Sequence, residues 1–229
     1  MNETNDCFGY DSLAFFGRVN ASISHELKNV MAIISETAGL LSDLSDMASS
    51  EGTVAPPMLK DCTQSIVEEI QRGFSVIRQM NRFSHSIDKP VEPVNLTELL
   101  DLAINLSGYQ SVAGKADVRC AEGTTPEVVT SPFLLHAIVY QTLIYTYKNT
   151  GSGADVSISV NGSGADGGWT LIFSGFSVSG FDAFPDAHIK AMAASIGVTI
   201  RCDTTADWLE IVVPAAIDEG PLSHARAAL

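Results

Sequence analysis

Positive charge is scarce in this chain. Its 229 residues hold 13 Lys and Arg against 27 Asp and Glu, a formal net charge of −14. Phosphate backbones and anionic lipid surfaces repel such a chain, so neither nucleic acid nor a membrane is an expected partner. Long apolar runs are also missing, and none reaches the ~18–20 residues that span a bilayer. The first residues, Met1-Asn2-Glu3-Thr4-Asn5-Asp6, have no basic stretch and no apolar core behind them. No secretory leader is therefore expected. Cysteine is sparse and dispersed. Cys7, Cys62, Cys120 and Cys202 form no CxxC and no zinc-ribbon spacing, which leaves four reduced, structural thiols in a cytoplasm as the expectation. Triplets such as Asn95-Leu96-Thr97 carry no glycosylation meaning without secretion. What the chain does have is a hydrophobic share of 45%. That excludes wholesale disorder and suits one large domain or two small ones.

The pattern divides into two parts. Residues 12 to about 47 read as one long helix. Phe16, Ile23, Val30 and Leu44 interleave with Leu27, Ile34 and Leu41 in steps of three and four, a heptad seam with the first series at d and the second at a. Breakers crowd the stretch from Ala48 to Pro57. A second helix runs from about Met58 to Ile87, with Leu59, Ile66, Gly73, Met80 and Ile87 joined by Cys62, Ile70 and Ile77. Two such helices form an antiparallel hairpin. Phe15, Phe74, Val76 and Phe83 widen the apolar face, so two hairpins paired about a twofold axis make a dimeric four-helix bundle. A homodimer is the expected state.

Lys89-Pro90-Val91-Glu92-Pro93 is a stiff break. It divides a hairpin domain over 1–90 from an α/β domain over 91–217, with 218–229 a tail. In the second domain, Asn95 or Thr97 caps a helix over Glu98 to Leu106. Val118 to Cys120 reads as a strand, and Ser131-Pro132 opens an apolar helix to about Lys148. Val156 to Val160 alternates as a half-buried strand does. Trp169 to Phe173 follows after a glycine-rich turn, then a helix over Asp186 to Ile196. Val198 to Cys202 and Trp208 to Val213 form a closing hairpin. The predicted class is α+β: a helical hairpin followed by a two-layer α/β sandwich with an antiparallel-looking sheet.

His25, within Ser24-His25-Glu26-Leu27-Lys28-Asn29, is the most informative residue. With Ile23 at d and Leu27 at a, His25 is at f and faces water. Asn29, four residues on, shares that face. Glu26 is adjacent. A neighbouring carboxylate can orient an exposed imidazole and hold a proton on one nitrogen, leaving the other to attack. Taken alone, a surface histidine is more often merely solvated.

Its surroundings change that weighting. Phe16 through Leu41, with the His-Glu-x-x-Asn core, resembles the phosphoacceptor helix of bacterial sensor histidine kinases. Met80-Asn81-Arg82-Phe83-Ser84 resembles the end of that family's second helix, and Val94 to Leu100 the start of its ATP-binding domain. The resemblance covers about residues 12 to 215, specific around His25 and architectural beyond Pro93. It implies that His25 carries a phosphoryl group and that Glu26 assists as an acid/base or orienting carboxylate. It gives Asn29 the position that places water for dephosphorylating a partner. It also implies response-regulator receiver domains as partners, with Mg²⁺ on the receiver and no cofactor or metal held by this chain.

The family's nucleotide site is where the sequence departs. Aligned on Lys148-Asn149-Thr150, Gln141 and Tyr145 stand where the family has two asparagines, and tyrosine is no substitute for a Mg²⁺-binding amide. Ser174-Gly175-Phe176-Ser177-Val178-Ser179-Gly180 supplies no aspartate to read adenine, and Asp182 comes too late. The cluster Gly162 to Gly168 lies between two strands and reads as a hairpin turn, whereas a phosphate loop leads into a helix. Residues 91–229 carry 6 Lys and Arg against 15 Asp and Glu, a poor field for triphosphate. A kinase-like bundle with a degenerate ATP domain resembles the stand-alone histidine phosphotransferases of the ChpT type. These are cytoplasmic relay proteins that shuttle phosphoryl groups between receiver aspartates. The start at Met1, a few residues before the phosphoacceptor helix, suits such a protein. The alternatives are a divergent ATP-dependent kinase, a response-regulator phosphatase built on Glu26 and Asn29, and a non-catalytic scaffold. Arg18 and Lys28 are read as docking cations for an acidic receiver pocket. His85, His136, His188 and His224 are scattered and read as surface or structural residues.

Overall fold

The structure is a computed structural model, and it describes residues 3–51, 56–108, 116–121, 123–150, 154–163, 167–177, 184–203 and 207–217. Asp182, His224 and the 218–229 tail lie outside these. By internal contacts the chain forms two compact units, Gly17–Arg82 and Met1–Phe16 with Phe83–Leu229.

The first unit is the body of a helical hairpin. Helix α1 spans Glu3–Glu51 and α2 spans Pro56–His85. Their contacts run in opposite order, Phe15 with Phe83 near one end and Val30 with Gly73 further along, so the helices are antiparallel. Gly73 lets them approach: a Cβ there would stand 3.3 Å from Val30 Cγ1. On α1 the first heptad series is mostly buried, whereas on α2 the buried residues cut across both expected series. The buried residues include Val19, Ile23, Glu26, Val30 and Leu44 on α1, and Cys62, Gly73 and Val76 on α2. The rest of the expected seam is only partly covered. Leu27, Ile34 and Leu41 are half-buried, while Leu59, Ile70, Ile77 and Met80 are exposed within a single chain. The reason is geometric: two helices bury one seam between them, and a second stripe needs a second partner.

In the other unit, the ends of the hairpin join the α/β layers. Phe15 and Phe83 are buried and meet edge-on with centroids 5.6 Å apart, and Tyr140 and Phe133 pack on Phe15 at 5.4 and 5.5 Å. Strand β1 (Glu92–Asn95) follows the proline break and pairs antiparallel with β3 (Glu127–Thr130). Both strands escape a periodicity reading because four residues are too few to show alternation. Asn95 caps α3 (Leu96–Ser107), its side chain accepting from the Thr97 and Glu98 amides. Ser131 precedes α4 (Pro132–Asn149) as N-cap without a side-chain bond, and Pro132 opens the helix as expected.

The main sheet has the order β2-β4-β5-β7-β6. The strands are β2 (Ala116–Cys120), β4 (Val156–Ser163), β5 (Gly168–Ser174), β6 (Thr199–Asp203) and β7 (Trp208–Val213). It is mixed: β2 pairs parallel with β4, and every other pairing is antiparallel. The parallel step arises because the chain from β2 to β4 runs through β3 and α4, a crossover that returns it in the same direction. Helices α3, α4 and α5 (Ala187–Ser195) form the second layer. Val156, Ile158, Leu171, Phe173, Leu209, Ile211 and Val213 are fully buried at alternating positions. This is the two-layer α+β architecture expected. The chain stays paired past β7, where Val129 donates to Ala215 and Ile217 donates to Val129. Ala215 and Ile217 are thereby tied to β3.

Candidate functional site

Helix α1 presents His25 to water. Its ring Nδ1 lies 3.3 Å from Asn29 Nδ2, one helical turn on. The spacing of four does this, since residues i and i+4 stack on one helix face. Arg18 and Lys28 are exposed on the same side, seven residues before and three after the histidine. A single ring nitrogen faced by an amide, flanked by cations, is suited to meeting an anionic phosphoryl group.

Glu26 is elsewhere. Its side chain is 4% exposed and forms an ion pair with Arg72 of α2. The second Arg72 nitrogen reaches Glu69 at 3.2 and 3.3 Å, so one guanidinium joins two carboxylates on two helices. Burial works to lower the Arg72 pKa, but hydrogen bonds and charge from Glu26 and Glu69 outweigh it and hold it above the ordinary value. Successive residues on a helix diverge by about 100°, which sends Glu26 into the seam while His25 points out. The structure thus brings His25 together with Asn29 and puts the Glu26 carboxylate on Arg72. Arg72 and Glu69 were not singled out from sequence. Their one signal is that Arg72 adjoins Gly73 in the seam, where a charge needs a partner.

The remaining histidines fall as follows. His85 Nδ1 lies 2.7 Å from Asp88 Oδ2 in an exposed pair at the end of α2. His136 is buried among aromatic rings, with centroids 5.4 Å from Phe83 and 6.4 Å from Phe15. Among the described residues no group of His, Cys, Asp or Glu is arranged to hold a metal ion. No helix among them is long and apolar enough to cross a membrane.

On α4, Gln141 is half-buried and Tyr145 buried. The Tyr145 ring stacks on Phe184 at 4.5 Å and 17°, and Phe176 meets it edge-on at 6.4 Å. Gly175 turns the chain after β5 with φ +92°, and a Cβ there would collide with the Asp155 carbonyl oxygen. That glycine serves a close backbone crossing. The glycine cluster joins β4 to its antiparallel neighbour β5, with Ser163 opposite Gly168. It is flanked by strands on both sides, as a hairpin turn is; residues 164–166 lie outside the described residues.

No protein-family profile matches the chain, and no curated protein does. Several solved structures are similar. A structure titled as a bacterial phosphotransferase is 12% identical, covers 87% of this chain and 95% of its own, and gives a TM-score of 0.48. The Acinetobacter baumannii histidine kinase AdeS is 11% identical over 83% of this chain and 98% of its own, with a TM-score of 0.45. The mycobacterial sensor histidine kinase MprB is 17% identical over 56% and 99%, also at 0.45. At such identities and scores these likenesses say nothing about this chain's chemistry.

Proposed function

We propose that this chain is a histidine phosphotransferase of a bacterial two-component phosphorelay, passing phosphoryl groups between receiver aspartates through His25. The observation that carries the reading is the exposed His25 ring with the Asn29 amide at its Nδ1, inside the His-Glu-x-x-Asn segment. In the reaction, a ring nitrogen of neutral His25 attacks the phosphorus of a receiver's aspartyl phosphate. The N–P bond forms, the P–O bond to aspartate breaks, and the aspartate leaves as carboxylate. Transfer to a second receiver reverses the step. Mg²⁺ on the receiver offsets the charge on the phosphoryl oxygens, and Arg18 and Lys28 favour approach of an acidic receiver pocket.

ATP is not the donor in this reading. Tyr145 stands where the resemblance would require a metal-binding asparagine, and its ring is stacked on Phe184. Two hairpins pair through the exposed stripe of α2, giving a homodimer with a four-helix bundle.

The test mixes the purified chain with a receiver domain labelled on its aspartyl phosphate and, separately, with labelled Mg-ATP. The expected result is acid-labile, base-stable label on the chain from the receiver, none from ATP, and none on His25→Ala with its helical content unchanged. Label from ATP overturns the phosphotransferase reading in favour of a kinase. Label retained by His25→Ala overturns the residue assignment. Receiver dephosphorylation lost in Asn29→Ala, with no phosphohistidine ever trapped, supports a phosphatase. Receiver binding that survives His25→Ala without any label supports a scaffold.

A further inference from the structure

We propose that Asn29 selects the tautomer of His25, and that Arg72 keeps Glu26 out of that choice. The inference rests on His25 being the phosphoacceptor, and its first readout does not require transfer.

Two groups on α1 are near enough in sequence to govern the ring. The structure gives each a different occupation. Asn29 Nδ2 lies 3.3 Å from His25 Nδ1. An amide NH₂ only donates, so in this contact Nδ1 accepts and the ring proton sits on Nε2. The outer nitrogen is then protonated and cannot attack. Rotating the Asn29 amide by half a turn presents Oδ1, which only accepts. That end calls the proton to Nδ1 and frees the lone pair of Nε2. One side chain thus offers both settings, and the Nε2 nucleophile belongs to only one of them.

Glu26 would offer a single setting, because a carboxylate accepts and never donates. It would hold the proton on Nδ1 permanently. Arg72 prevents this. The Glu26 side chain is almost wholly buried, and its charge is met by Arg72, which Glu69 braces from the other side. Leaving that pair to reach an exposed ring would exchange a buried, compensated charge for a solvent-screened contact. Such contacts are weak, and stripping a buried charge of its partner is costly. Glu26 is accordingly a positioning residue. It acts through Arg72 to fix α1 against α2, and so fixes which side of α1 shows His25.

The test reads the His25 ring in the intact 229-residue chain by its ¹⁵N chemical shifts, at alkaline pH where the spectrum shows the neutral form. Asn29→Asp replaces the amide with an acceptor and should move the ring to the Nδ1–H form. Glu26→Gln should leave the tautomer as in the wild type. An unmoved ring in Asn29→Asp, or a shift in Glu26→Gln as large as in Asn29→Asp, overturns the proposal. The second readout is the thermal midpoint. Arg72→Met should lower it, and adding Glu26→Gln should recover at least about half of the loss, because the buried carboxylate is then gone. Additive losses overturn the role given to Arg72. If Arg72→Met does not fold, the Glu26→Gln and Asn29→Asp rings still decide the first half. Tautomers that respond as expected in a chain that takes no label from any receiver would count against the phosphoacceptor reading, not against this one.

Discussion

Tyr147 ties the stability of the α/β layers to pH. Burial raises its phenol pKa above the ordinary value of 10.0, while the hydrogen bond with Ser107 works in the opposite direction. The folded chain therefore holds this proton more tightly than the unfolded chain. The stability it brings is complete below about pH 10 and is lost as pH climbs through the raised value. Urea midpoints should fall as pH rises above about 10, and more gently in Tyr147→Phe, which has no phenol proton to lose. Equal slopes in the two proteins would mean that Tyr147 is not the group responsible. Some residues could be placed from sequence alone and some could not. His25 could, because heptad phase places f positions in water. The cap of α3 could be narrowed to Asn95 or Thr97, and the structure gives it to Asn95, whose side chain accepts from the Thr97 and Glu98 amides. Glu26 could not. Its phase marks it only as flanking the seam, and its partner, Arg72, is 46 residues away. No local pattern records which cation a buried acid meets across a helix pair.

Among the elements, the hairpin shows how much periodicity reveals and where it stops. The long helices were legible because their apolar steps of three and four persist over many turns. Within one chain only part of the expected seam, Ile23, Val30 and Leu44 on α1 with Cys62, Gly73 and Val76 on α2, is deeply buried. Period fixes which residues share a face, and the number of partner helices fixes how many faces are covered. Strands β1 and β3 lacked enough residues to show a period, and the parallel β2–β4 pairing is a matter of topology that no strand carries within itself. The close point of the hairpin makes a direct test. Gly73 is buried opposite Val30, with 3.3 Å for a Cβ. Gly73→Leu adds four carbons where one already crowds, and overpacking of this kind costs about 1–3 kcal/mol. Chemical unfolding should show that loss. A gain, from exchanging glycine for a better helix former, would mean that the helices part there without penalty.

For the whole molecule, the question is what covers the second stripe. Val67, Ile70, Phe74 and Ile77 follow one another along α2 in steps of three and four and are 46%, 40%, 54% and 42% exposed in a single chain. On α1, Leu27 and Ile34 are half-buried and Met31 is exposed. A continuous apolar face of this size is uncommon on a protein that stays alone, and its heptad spacing suits another helix pair. Charge works against association. Two copies at −14 repel each other, and salt screens that repulsion while leaving apolar burial largely intact. The proposed homodimer should therefore tighten as ionic strength rises from about 0.01 M to 0.15 M, the reverse of an interface held by opposite charges. Phe74→Glu puts a carboxylate in the middle of the stripe and should bring the sedimenting mass from two chains to one, with the far-ultraviolet spectrum unchanged. A wild-type chain that sediments as one copy at every salt concentration would reject the homodimer and leave the stripe to another partner. A dimer that loosens with salt would place the interface on charged groups and away from Phe74.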